Sequence, residues 1–222
     1  IGIEHFTYNN ENKVSIVVVK KKKEGLIIEK ENAFNSDVIA KERDKSFPYF
    51  LVVNSNQVIQ KEILSIDSND EKIINKAFPN TNWNEFYYEI WRLKTKSIIA
   101  ITRKNYLDDL IKEYNSQKTK IIGISLGSCA IADIYNYTSF DNLYTNTHII
   151  AKNEQDSIIS NIKELHSTIS YEINNLKISN VQLLAFSGII RLVSNFTENS
   201  GSIIDLSNHS RNEYIQKQFF LK

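Results

Sequence analysis

The chain of 222 residues is 41% hydrophobic and 11% aromatic, enough to bury one large core or two smaller ones, which excludes a disordered chain. Its 27 basic and 26 acidic residues leave a net charge of +1, too weak a field to gather nucleic acid, and the lone cysteine, Cys129, excludes an internal disulfide and suits a reducing compartment. No apolar run approaches the ~20 residues that cross a bilayer and no signal peptide opens the chain. With no methionine and a first residue already inside a strand-like run, the sequence is expected to be a segment of a longer protein.

In chain order, Ile1 to Tyr8, Lys13 to Lys22 and Leu26 to Asn32 read as three antiparallel strands, separated by the turn-rich stretches 9–12 and 23–25. The lysines from Lys20 to Lys23 alternate faces on such a strand and so mark a solvated hairpin end. A short helix is expected over Asn35 to Arg43, then strands at Tyr49 to Asn54 and Val58 to Leu64. Ser68-Asn69-Asp70-Glu71 has capping-box spacing and predicts a helix ending before Pro79. A strand pair, Phe86 to Arg92 and Ser97 to Thr102, precedes an amphipathic helix on which Leu107, Leu110, Ile111 and Tyr114 recur at helical spacing.

The remainder repeats the pattern more loosely. Strands are expected at Ile121 to Leu126, Leu143 to Lys152, Ser157 to Glu164 and Thr168 to Lys177, followed by a largely buried helix over Val181 to Asn195 capped by Ser179 or Asn180. One meander-helix-strand unit followed by a weaker second one predicts an α/β protein of two similar packed subdomains, 1–118 and 119–210, with a tail over 211–222.

Few residues carry chemistry. Gly123-Ile-Ser125-Leu-Gly127 follows a β-branched run and has the form of a nucleophile elbow, and Asp156 or Asp205 with His209 would complete a triad in chain order. The later strands look like hairpins rather than βα units, and no Gly-rich oxyanion loop accompanies them, so Ser125 is expected to be a turn-adjacent serine whose replacement by alanine is silent. His5, His148, His166 and His209 lack ligand spacing, so no metal site is expected, and Cys129 reads as a small buried residue. The segment from Trp83 to Trp91 is dense in aromatics. On a strand, Phe86, Tyr88 and Ile90 face one side and Tyr87, Glu89 and Trp91 the other; Trp83, Tyr87 and Trp91 are the candidates for partner contact, a second core on a covered sheet being the alternative.

Three stretches together resemble a known family: Phe50-Leu-Val-Val-Asn-Ser-Asn-Gln-Val-Ile-Gln-Lys-Glu-Ile-Leu64, Glu71 to Pro79 with its Ala-Phe-Pro ending, and Ser97-Ile-Ile-Ala-Ile-Thr-Arg-Lys104 leading into a helix. They are similar in order to the cytoplasmic domain of the L-type assembly protein of bacterial type II secretion and its relative, the M-type protein of type IV pilus assembly. The resemblance implies two RNase H-like subdomains of the actin-like ATPase superfamily, with mixed sheets flanked by helices. It implies a non-catalytic scaffold at the cytoplasmic face of the inner membrane, binding the assembly ATPase and other platform proteins, with a homodimer as an option and a membrane helix downstream. Phe219, Phe220 and Leu221, beside basic residues, would then lie near the membrane. Nucleotide-binding actin relatives carry an Asp-x-Gly turn between their first strands, where this chain has Glu4-His-Phe6; Phe6 is expected to obstruct phosphate, so no cofactor is expected. An actin-like nucleotide-binding protein and, further off, a serine hydrolase using Ser125 are the alternatives.

Overall fold

The computed structural model describes residues 1–23, 25–33, 47–152, 157–161, 168–194 and 197–220. The expected helix over Asn35 to Arg43, together with Asp156, His166 and Leu221, lies outside them.

The opening meander forms as β1 (Gly2–Tyr8), β2 (Glu11–Lys22) and β3 (Gly25–Ala33). Asn9 and Asn10 both take left-handed backbone at φ 51 and 62, the geometry of a tight hairpin turn that asparagine tolerates. The apolar strand β4 (Tyr49–Asn54) runs parallel to β1, and β8 (Ile121–Leu126) runs parallel to β4, giving one five-stranded sheet of order β3-β2-β1-β4-β8. A division at residue 118 therefore cuts between two hydrogen-bonded strands. Both β4 and the edge strand β8 are buried throughout, as parallel strands covered on two faces must be.

Between β4 and β8 the chain builds a separate three-stranded sheet, β5 (Ile59–Ile63), β6 (Phe86–Arg92) and β7 (Ser97–Arg103), in the order β5-β7-β6. Helix α1 (Asp70–Ala77) packs on it through Ile73, Ile74 and Ala77. Its N-cap is Asn69, whose side chain accepts from the Lys72 amide at 3.1 Å, rather than Ser68 of the expected box. Helix α2 (Lys104–Ser116) buries Leu107, Leu110 and Tyr114 against the main core and leaves Ile111 half-buried.

After β8, a 3-10 turn and the single turn α3 (Ala132–Tyr135) lead to β9 (Asn142–Tyr144), β10 (His148–Lys152) and β11 (Ser157–Asn161), an antiparallel meander of order β11-β10-β9. The single strand expected over Leu143 to Lys152 is thus two, broken where Thr145 Oγ1 accepts from the His148 amide at 2.9 Å. Likewise Thr168 to Lys177 is a hairpin, β12 (Ser170–Ile173) and β13 (Leu176–Ser179), because Asn174 and Asn175 turn the chain at φ 49 and 65. Helix α4 (Leu183–Ser194) is buried nearly all round, and α5 (Ser202–Phe220) closes the described chain. No helix among the described residues is long and apolar enough to cross a membrane.

Close packing accounts for the glycines of the elbow-like motif. A Cβ on Gly123 would fall 2.5 Å from the Phe50 ring, and Gly188 of α4 flanks the same ring, so the two glycines let a strand and a helix close on Phe50. The other glycine of the motif, Gly127, instead serves the turn after β8, at φ 54.

Candidate functional site

Three segments meet at the ends of β1 and β4. The Thr7 to Asn10 turn, Asn54 to Asn56 at the end of β4, and Asn146 to His148 leading into β10 line a cavity of about 710 Å³, with Val58, Ile59 and Gln60 on its flank. None of the lining residues is an acid, a lysine or an arginine. Beneath them lies Glu4, fully buried. Asn54 Nδ2 donates to its Oε1 at 2.9 Å and Asn146 Nδ2 to its Oε2 at 2.8 Å. Burial without a cation pushes the Glu4 carboxyl up to about 7, against the opposing pull of those two amides.

His148 lies along one wall. Gln60 Oε1 accepts from the Ser128 amide at 2.7 Å, which leaves Gln60 Nε2 to donate to His148 Nε2 at 3.0 Å. His148 Nδ1 then carries the proton toward Thr147 Oγ1 at 2.7 Å. Burial lowers this imidazole to about 4, so it is neutral at pH 7. The cleft as a whole is an uncharged array of amides and hydroxyls.

A magnesium triphosphate does not fit this array. It needs cations or a glycine nest against its charge, whereas the lining has no cation, the hairpin turn is Asn-Asn, and both oxygens of Glu4 are already held by amides. The expected obstruction by Phe6 is not the cause. Phe6 is fully buried and stays out of the cavity lining, so the mismatch lies in charge rather than in bulk.

A second polar cluster sits deeper. Glu89 of β6, fully buried, accepts from Ser125 Oγ at 2.8 Å, the Leu126 amide at 2.7 Å, Arg191 Nη1 at 2.8 Å and Asn199 Nδ2 at 2.5 Å. Arg191 Nε also donates to Asp133 Oδ2 at 2.7 Å, and burial raises the Asp133 carboxyl to about 6 even beside that cation. Ser125 therefore gives its proton to a carboxylate in a closed core and is no nucleophile. His209 is exposed on α5 and pairs with Glu213 at 3.4 Å, so the triad does not assemble around it. Cys129 is fully buried as expected, its thiol pushed up by burial and by the neighbouring Glu89. Among the described residues, no group of three His, Cys, Asp or Glu could hold a metal ion.

The aromatic segment alternates as expected, but both of its faces are covered. Ile90, Phe86 and Tyr88 pack on the α1 cluster, and Tyr87 and Trp91 on the main core. Trp91 is 1% exposed with its ring edge-on to Tyr135, which leaves it no surface for a partner. Tyr87 is half-buried and donates to Asp108 Oδ1 at 3.1 Å; Trp83, also half-buried, lies edge-on to Phe78 and Tyr88 and donates to Asn75 Oδ1 at 2.7 Å. The expected tail is not a separate piece. Residue 211 is mid-helix in α5, which docks on β8: Ser207 Oγ accepts from the Ile124 amide at 2.9 Å, and Lys120 lies over the Tyr214 ring. Phe219 and Phe220 end this helix, with their side chains outside the description.

Of Glu4, Asn54 and Asn146 the sequence pointed only to Glu4, at the place of the nucleotide-turn acid; Asn54 and Asn146 are far from it in the chain and carry no motif. The one available signal was an acid inside an apolar strand.

No protein-family model matches the chain, and no curated protein matches it. Two solved structures align with the chain. The PilM-PilN type IV pilus biogenesis complex aligns over 73% of this chain and 61% of that one, at 6% identity and a TM-score of 0.50. The cytoplasmic domain of EpsL, an inner membrane component of the type II secretion system of Vibrio cholerae, aligns over 72% of this chain and 70% of that one, at 5% identity and a TM-score of 0.48. The chain thus spans about three fifths of the pilus structure's length. Its fold class is mixed α/β, with several sheets flanked by helices, and it is shared with that pilus assembly structure.

Proposed function

We propose that this chain is a non-catalytic scaffold of a type II secretion or type IV pilus-like platform, working at the cytoplasmic face of the bacterial inner membrane. It would bind the assembly ATPase and other platform proteins. The observation that carries the reading is the fold shared with the PilM-PilN complex, a pilus assembly structure. Two features of the chain agree with it. The cleft between β1, β4 and β10 has no charge to receive a nucleotide, and the elbow-like serine is spent on a buried carboxylate. Of the three aromatics expected at a partner surface, Trp83 and Tyr87 remain half-exposed enough to serve. Phe219, Phe220 and Leu221 would stand near the membrane, α5 leading toward it.

Co-expression with the assembly ATPase and the membrane proteins encoded beside this gene tests the reading. A stable complex that survives gel filtration, together with loss of secretion or piliation on gene deletion, is the expected result. Turnover of ATP by the purified chain, or no complex with any platform protein, would overturn it.

A further inference from the structure

Glu89 and Asp133 share one cation, the Arg191 guanidinium, at 2.8 and 2.7 Å. Glu4 is as deeply buried as Glu89, yet among the described residues no ion pair reaches it, and its partners are the amides of Asn54 and Asn146. It also lies one side chain below open space, because both of those asparagines line the cavity of about 710 Å³. A buried carboxylate is ordinarily paired, and no cation stands on this lining to pair with it.

A second unmatched group lies at the same place. Asn146 is fully buried, and its Nδ2 donates both to Glu4 and to the Val181 carbonyl, at 2.8 and 2.7 Å, which fixes the orientation of the amide. Its Oδ1 is thereby left as a buried acceptor without a donor among the described residues. A carboxylate without a cation and a carbonyl without a donor call for the same thing, a positively charged group that can donate hydrogen bonds.

We propose that the cleft receives a protonated primary amine, which donates to Asn146 Oδ1 and sets its charge above Glu4. Other occupants fit less well. An arginine fork needs two carboxylate oxygens side by side, and both oxygens of Glu4 are held by amides, whereas an ammonium is a compact point charge whose three donors can be shared among single acceptors. A metal ion needs several oxygen ligands, and Glu4 is the single acid at this floor. A neutral ligand leaves the carboxylate unmatched, and an anion is repelled by it. The inference rests on the cleft alone and holds whether or not the chain is a scaffold.

Two probes carry the same ammonium from different sources: an end-blocked tripeptide with a central lysine, and free n-butylamine. The same tripeptide with norleucine in place of lysine is the uncharged control. Each is titrated into the wild-type chain at constant ionic strength and pH 8, above the raised value of Glu4 and below that of an amine, while the side-chain amide NMR signals of Asn54 and Asn146 are followed. The expected result is saturable movement of those signals by at least one amine and none by the norleucine peptide. Tighter binding of the lysine peptide assigns the amine to a protein side chain, and butylamine binding at least as tight assigns it to a small free amine. Glu4→Gln, with its fold checked by circular dichroism, should lose at least about ten-fold in affinity. If that variant does not fold, the lysine and norleucine peptides on the wild type still decide. Equal binding of the norleucine peptide, no saturation by either amine, the same movement with potassium or magnesium chloride alone, or a folded Glu4→Gln variant that binds as the wild type does would each overturn the inference.

Discussion

Two fully buried carboxylates, Glu4 and Glu89, live in opposite electrostatic company. Glu89 meets a guanidinium, a hydroxyl and backbone and side-chain amides, in a network that ties β6 to β8, α4 and the 197–200 stretch. Glu4 meets two asparagine amides and no cation, and its carboxyl rises to about 7. The difference separates a charged knot that fixes the mutual position of elements from a carboxyl without a cation beneath an open cleft, raised to about 7. A buried ion is tolerated where partners converge from several elements, and it tends toward protonation where they do not.

Breaking the knot is expected to have the largest effect. Arg191→Met leaves Glu89 and Asp133 buried without their cation, and should cost about 3–5 kcal/mol in urea denaturation. Neutralising both acids in the same variant should recover much of that loss, because no uncompensated charge then remains.

The Glu4 site should reveal itself through pH. A carboxyl whose folded value lies above its ordinary 4.5 keeps its proton longer in the folded state, so stability falls as pH rises from about 4.5 to about 7. Asp133, raised from 3.8 to about 6, has the same sign, while His5 and His148, both lowered to about 4, oppose it below pH 6.5. The difference between wild type and Glu4→Gln isolates the one group. Between pH 5 and 8 the wild type should lose roughly 3 kcal/mol relative to the variant. A flat difference would mean that Glu4 has a counter-charge or water that the two amides do not represent.

Ser125→Ala removes one of the donors to Glu89, and about 1–2 kcal/mol of stability should go with it. The silence expected from the sequence is therefore replaced by a measurable loss, and a fluorophosphonate probe should label neither form. The smallest effect is expected at the cleft. Magnesium ATP at about 100 times a Kd would add ~2.7 kcal/mol by linkage, so the expected absence of a melting shift up to millimolar nucleotide is a firm result. A clear shift would place an unrecognised cation near the amides and dissolve the contrast between the two sites.

Local pattern explains which elements were legible. β1 to β4 and β6 to β8 follow from apolar runs and turn residues, and α2 from its helical spacing, because the forces that set them act within a few residues. The breaks at Thr145 to Thr147 and at Asn174-Asn175 were less visible: each is a turn of polar residues inside an otherwise strand-like run, and its hydrogen bonds rather than its composition reverse the chain. Trp91 shows the same limit. Alternation placed it on the correct face of β6, but whether that face met solvent or the main core depended on elements far along the chain.

By itself the sequence determined an α/β protein with an opening meander, an apolar strand at β4, a buried cysteine and no charge excess, since propensity, periodicity and composition are carried in each stretch of chain. Only the tertiary structure decided that β8 joins the first sheet, that Ser125 serves Glu89, and that Gly123 and Gly188 exist to admit Phe50. Each of those depends on contacts between residues tens of positions apart. Such contacts are chosen by what the whole core can bury and by which polar groups can then be satisfied, and no local pattern encodes that choice.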